Sequence, residues 1–209
     1  RTVASYLIDF SVRKEDKDKY LAVFETYQDS LLSLCPPNSL SYVIDMADKY
    51  IRKGEYRKSV KILEDYLANN KYPTHDRAIV ANSLALAYQK LGNTEKQKEN
   101  LLISSIADLQ ASVREYVSLR QLALLLFQEG DTDNAHEFLR IAMEDAKKCN
   151  ARQRILEIND IFPVVNTAFV REIQLHRERQ MTLIVIISIL VVFLLVAIVW
   201  IWKQMKKTS

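Results

Sequence analysis

Only three glycines occur in the 209 residues, Gly54, Gly92 and Gly130, and the step between them is 38 residues both times. With four prolines besides, the chain lacks the turn residues of an all-β fold and is predicted to be mostly helix. The surroundings of the glycines keep the same step. Tyr50, Tyr88 and Leu126 stand four residues before them, and Met46, Leu84 and Leu122 stand eight before, each followed by Ala47, Ala85 or Ala123. Ser59, Gln97 and Ala135 follow five residues after, and Leu63, Leu101 and Leu139 nine after. One glycine is a turn signal, whereas three in a shared register mark a repeat.

Each unit reads as a helical hairpin. In "SLALAYQKLG", Leu84, Ala85 and Tyr88 fall on one face at helical spacing, and Gly92 supplies the stop where φ turns positive. "TEKQ" then reads as a capping box, with Thr94 as N-cap and Gln97 reaching back. The alanine in the first helix lets its partner approach closely. Two helices per unit and a period in the thirties predict a solenoid.

These residues resemble the tetratricopeptide repeat (TPR). The first unit, Leu40 to Lys71, offers Val43, Met46, Ala47, Tyr50, Gly54, Tyr56, Ser59, Leu63 and Tyr66 at the family's positions. The second, Ala78 to Leu109, offers Ala81, Leu84, Ala85, Tyr88, Gly92, Gln97 and Leu101. The third, Tyr116 to Lys147, offers Leu119, Leu122, Ala123, Leu126, Gly130, Ala135, Leu139 and Ala142. The family's tryptophan is missing, Gln97 replaces a packing alanine, and the step exceeds the usual ~34 residues. The added length is expected in longer helices or in linkers such as Asn69 to Asp76.

The resulting division is a truncated, divergent helix pair over 1–39, three repeats over 40–148, capping and juxtamembrane helices over 149–180, a transmembrane helix over 181–202 and a basic tail over 203–209. In the first part, Tyr20, Phe24, Tyr27 and Leu31 form a helical face closed by Pro36-Pro37, with residues 1–10 as its partner. Pro163 marks a kink after the repeats. The chain opens on Arg1, so it is expected to be part of a longer product.

Met181 to Trp202 is 22 residues without a charge, and its polar side chains, Thr182 and Ser188, can bond back to the helix. At 1.5 Å per residue it reaches about 33 Å, enough for a hydrocarbon layer of about 30 Å. Trp200 and Trp202 stand at the edge where indoles prefer to lie. The positive-inside count is close to a tie, Lys203, Lys206 and Lys207 against Arg171, Arg177 and Arg179, and leans to a cytoplasmic C-terminus. Those three lysines account for the whole net charge of +3, so the first 180 residues are formally neutral. That is no footprint of a nucleic-acid surface, and no direct nucleic-acid binding by this segment is expected.

No chemistry stands out. His75, His136 and His176 lack metal-ligand spacing, and phosphate-loop, dinucleotide and nucleophile-elbow motifs are missing. Asp131 and Asp133 beside Gly130 read as caps rather than a calcium loop. Cys35 and Cys149 read as two partly buried small hydrophobes. The expectation is a non-enzyme with no catalytic residue, no metal and no cofactor. Resemblance to TPR proteins instead implies a concave groove lined by the first helix of each repeat, here Asp48, Arg52, Asn82, Gln89, Lys90, Arg120 and Gln128. The occupant implied is a protein or peptide; this set does not reproduce the dense basic clamp for C-terminal carboxylates.

Over its whole length the chain also resembles a narrower group, the membrane regulators of Bacteroidetes that join periplasmic TPR repeats, one transmembrane helix, a cytoplasmic coiled coil and a C-terminal domain of unknown function. "DSLLSLCPPNSLSY" from Asp29, "SLALAYQKLGNTEKQ" from Ser83, "SSIADLQASVREYVSLRQLALLLFQEGD" from Ser104, "EDAKKCNARQRILEI" from Glu144 and the closing "WKQMKK" carry that likeness. The expected fold class is all-α, a TPR-like superhelical solenoid of antiparallel helix pairs followed by a single transmembrane helix. The resemblance implies a periplasmic sensor half on the bacterial inner membrane, relaying a signal to a cytoplasmic, DNA-binding output, with a homodimer allowed. A membrane-anchored scaffold for complex assembly is the alternative.

Overall fold

The computed structural model describes Leu7 and residues 13–69, 74–111 and 117–208, and among these it contains helices and no strand. The helices are α1 (Lys14–Leu34), α2 (Leu40–Arg52), α3 (Tyr56–Asn69), α4 (Thr74–Lys90), α5 (Thr94–Gln110), α6 (Val117–Gln128), α7 (Thr132–Lys148), α8 (Arg152–Asn159) and α9 (Phe162–Thr208). Three hairpins, α2–α3, α4–α5 and α6–α7, stack in chain order, α3 on α4 and α5 on α6. At one end α1 packs on α2, and at the other α7 carries α8 and α9.

Each hairpin turns on its glycine. Gly54, Gly92 and Gly130 have φ of 76°, 71° and 88°, the left-handed region that an L side chain enters only at a cost. The amides of Glu55, Asn93 and Asp131 donate to the carbonyls of Tyr50, Tyr88 and Leu126 at 2.9, 3.0 and 2.9 Å, which is the Schellman closure of a helix end. This closes one helix and opens the next in a single step. Asn93 is the N-cap of α5, its side chain accepting from the Lys96 amide at 3.0 Å, and Asp131 caps α7 by accepting from the Asn134 amide at 3.2 Å. Thr94 is therefore the first helical residue, and the capping box expected from Thr94 and Gln97 does not form. The cap falls one residue earlier because the glycine already delivers the chain into the helix at Asn93. Asn150, with φ 51°, closes α7 in the same manner without a glycine.

The repeat register becomes the core. Ala47, Ala85 and Ala123 are at most 1% exposed, and Leu63, Leu101 and Leu139 are fully buried. Each such leucine contributes roughly 1.5–3 kcal/mol by leaving water. Two clusters result, one around Val43, Leu63 and Val80 and a larger one running from Ala85 through Leu122 and Leu139 to Val165. Tyr88 ties two hairpins by donating to Glu64 at 2.6 Å. Burial, and then the Glu64 carboxylate, pushes its phenol up to about 12.

Four expectations change. On α1 the buried residues are Phe24 and Gln28, whereas Tyr27 is 56% exposed and Leu31 also faces out. The helix is rotated toward a glutamine that apolar counting passes over. Thr74 to Asp76, expected in a linker, already belong to α4, while 70–73 lie outside the described residues, as does most of the expected partner helix at 1–10. Pro163 makes no kink, because the break precedes it between α8 and α9 and Pro163 sits in the first turn of α9, where its missing N–H costs nothing. Cys149 is exposed rather than partly buried, and both cysteines are free thiols.

Candidate functional site

The seven residues expected to line one groove are distributed over different environments. Asp48 and Arg52, at the C-terminal half of α2, pair with each other at 3.0 Å and with α1. Gln28, only 1% exposed, donates from Nε2 to the Asp45 carbonyl at 2.9 Å and to Asp48 at 3.3 Å, and its Oε1 accepts from Arg52. The Arg52 guanidinium also lies 4.0 Å over the Phe24 ring. Both residues are therefore committed to holding α1. Beside them a cleft of about 370 Å³ opens between α1 and α2, with Lys49, Arg52 and Lys53 facing Glu25 and Asp29.

Asn82 is committed too. Its Oδ1 is the acceptor for the Ser118 hydroxyl at 3.2 Å, and Ser118 in turn meets Ser104, which donates to the Ala78 carbonyl at 2.8 Å. This buried polar seam joins α4, α5 and α6. Arg120 reaches sideways to Glu157 on α8 at 3.2 Å and is 19% exposed at its side chain. Lys90 remains an exposed side chain at the end of α4.

Gln89 and Gln128 are different, because the fold brings them together. With Gln97 and Gln121 they line a second cleft, of about 130 Å³, between α4, α5 and α6. Its floor is aliphatic, made by Ala85, Leu86, Leu124 and Leu125. At the position where Ser59 and Ala135 are fully buried in their hairpins, Gln97 is only half-buried. The longer side chain at this position contributes to the lining of the cleft from α5. The Lys98–Glu129 ion pair joins α5 to the turn that follows α6.

Sequence reasoning missed Gln28 and Gln121. Gln28 carried a signal only as the polar residue four positions after Phe24 on the same helix face. Asp45 and Asp108, 4% and 7% exposed, were likewise not distinguishable from solvated carboxylates. Among the described residues no group of His, Cys, Asp and Glu is arranged to hold a metal ion.

The far end of the stack meets α9. Val165 is fully buried against α7, His136 stacks on Phe169 with ring centroids 4.1 Å apart, and His136 Nε2 is 3.1 Å from Asn166 Oδ1. Beyond Phe169 the helix leaves the stack and continues without interruption to Thr208. It is long and apolar enough to cross a membrane, and its apolar window is wholly unburied by the rest of the protein. Thr182 and Ser188 bond back to the carbonyls of Glu178 and Ile184 at 2.9 and 2.8 Å, which removes their cost in hydrocarbon.

No curated protein matches the chain. Residues 1–160 match the protein family described as the SusR N-terminal TPR domain, and that match stops where α8 gives way to α9. It spans most of the chain and coincides with the stacked helices, so the protein belongs to the SusR N-terminal TPR domain family, a repeat fold of protein-interaction type joined here to one helix able to span a membrane.

Proposed function

We propose that this chain is the sensing part of a single-pass regulator of the bacterial inner membrane. Residues 1–180 lie in the periplasm and bind a protein or peptide partner. Residues 181–202 cross the bilayer, and the C-terminus enters the cytoplasm to drive an output domain, DNA-binding in the family it resembles. The observation that supports this reading is the continuity of α9. Its first turns are docked on the last hairpin through Val165 and the His136–Phe169 stack, and from Phe169 to Met181 the helix runs about 18 Å without a glycine or proline. Rotation or tilt of the last hairpin is therefore transmitted to the span rather than absorbed by a flexible linker.

Two measurements test it. A reporter active only in the periplasm, fused before residue 1, is expected to work, and the same reporter after Ser209 is expected to be silent. The reverse result removes the assigned orientation. Two glycines inserted after His176 are expected to uncouple partner binding from the output of the intact protein. Unchanged output would leave the alternative, a membrane-anchored scaffold that assembles complexes without signalling.

A further inference from the structure

We propose that the cleft between α4, α5 and α6 binds an uncharged, extended stretch of polypeptide, with one aliphatic side chain seated in it and the neighbouring main chain paired to glutamine amides. This rests on the protein-binding reading above and names the chemistry of the partner.

Four primary amides, Gln89, Gln97, Gln121 and Gln128, converge on the cleft. None of them has a hydrogen-bond partner among the described residues. Each offers a carbonyl acceptor and two N–H donors, the same pair of groups that a main-chain amide requires. A peptide backbone satisfies donor and acceptor together, and an extended one presents them at regular intervals. No charged side chain lines the cleft, so a charged residue entering it would lose hydration without compensation.

Size and lining narrow the occupant further. A volume of about 130 Å³ holds one side chain or a few waters, not a folded surface. Leu124 and Leu125 on α6 present an aliphatic wall that suits an aliphatic side chain. No aromatic ring is in the lining, so the face on which a sugar ring would stack is missing. The α1–α2 cleft is larger but carries charges of both signs, of which Lys49 and Asp29 pair with each other, and it selects for nothing comparable.

The test uses the full chain in detergent and three pools of short fluorescent peptides: Gly/Ser/Ala with leucine, the same with lysine, and the same with glutamate. The leucine pool is expected to bind, and the charged pools are not. Gln97→Ala restores the small residue type found at Ser59 and Ala135, and Gln128→Ala changes an exposed side chain, so both variants keep the fold. Each is expected to weaken the leucine pool by about tenfold or more. Equal binding of charged pools, no binding of any pool, or unchanged affinity in both variants overturns the proposal. So does a neutral dextran oligosaccharide that binds in a Gln97-dependent way in place of the peptides. Peptide binding that survives both glutamine variants but falls with Lys53→Glu moves the site to the α1–α2 cleft, and leaves the protein-binding reading intact.

Discussion

The two ends of the helical stack are closed by opposite means. At the N-terminal end α1 is held by one ring and one amide, Phe24 and Gln28, with Arg52 spanning both. At the C-terminal end α9 is held by apolar burial, Val165 in the core with the His136–Phe169 stack beside it. A polar joint depends on donors and acceptors in one geometry and loses much of its value when a single partner goes. An apolar joint is less directional, and it fails when charge is put into it. The helix that is long and apolar enough to cross a membrane carries the second kind. Such a joint withstands small rotations with only the half-buried His136–Asn166 hydrogen bond at stake.

The largest expected effect comes from putting charge into the apolar joint. Val165→Asp places an unpaired carboxylate where exposure is zero and is expected to destabilise the α7–α9 contact by about 3–5 kcal/mol. Limited trypsin digestion should then cut at Arg171 and Arg177 while the α4–α5 hairpin stays protected. Digestion unchanged from the parent would mean that α9 is not held at Val165. Next is the polar joint. Gln28→Ala withdraws the donor to the Asp45 carbonyl and the acceptor for Arg52, with an expected loss of about 1–3 kcal/mol in chemical denaturation. The neighbouring Lys49–Asp29 pair is half exposed and is worth at most about 1 kcal/mol, so high salt should not mimic that variant.

Between the two ends, the turns give a smaller effect. Gly92→Ala meets no atom within 4 Å, so its cost is the left-handed backbone alone, roughly 1–2 kcal/mol. Asn150→Gly, at the one non-glycine position with positive φ among the described residues, should change little in the thermal midpoint. A large loss in that variant would show that the Asn150 side chain does more than tolerate the turn. Asn150→Gly aside, the smallest effect is at the exposed N-cap of α7. Asp131→Ala is expected to cost about 1 kcal/mol. The Asn134 side chain, and then its amide, hold the Asp131 carboxyl below the ordinary aspartate value. Its contribution is therefore present above the unfolded pKa of about 4 and disappears as pH falls through the lower folded value. The parent and variant should converge in stability under acid. A difference that persists there would assign the loss to something other than the carboxylate.

The sequence itself determined the helical repeat, because glycine spacing, the small residue and the leucine are local demands of a hairpin that recur at one step. It determined the helix able to span a membrane for a similar reason, since 22 uncharged residues need no tertiary partner to be recognised. Gly54, Gly92 and Gly130 were legible as turns, but the cap residues Asn93 and Asp131 follow from where the chain emerges from those turns. Only the tertiary structure decided which polar residues are structural. Asp48, Arg52, Asn82 and Arg120 look like solvated helix faces until α1, α6 and α8 are placed against them. Only the packing of three helices from two repeats brings Gln89, Gln97, Gln121 and Gln128 to one cleft. Periodicity along a helix reports its own faces; what lies opposite each face is set by helices far away in the chain.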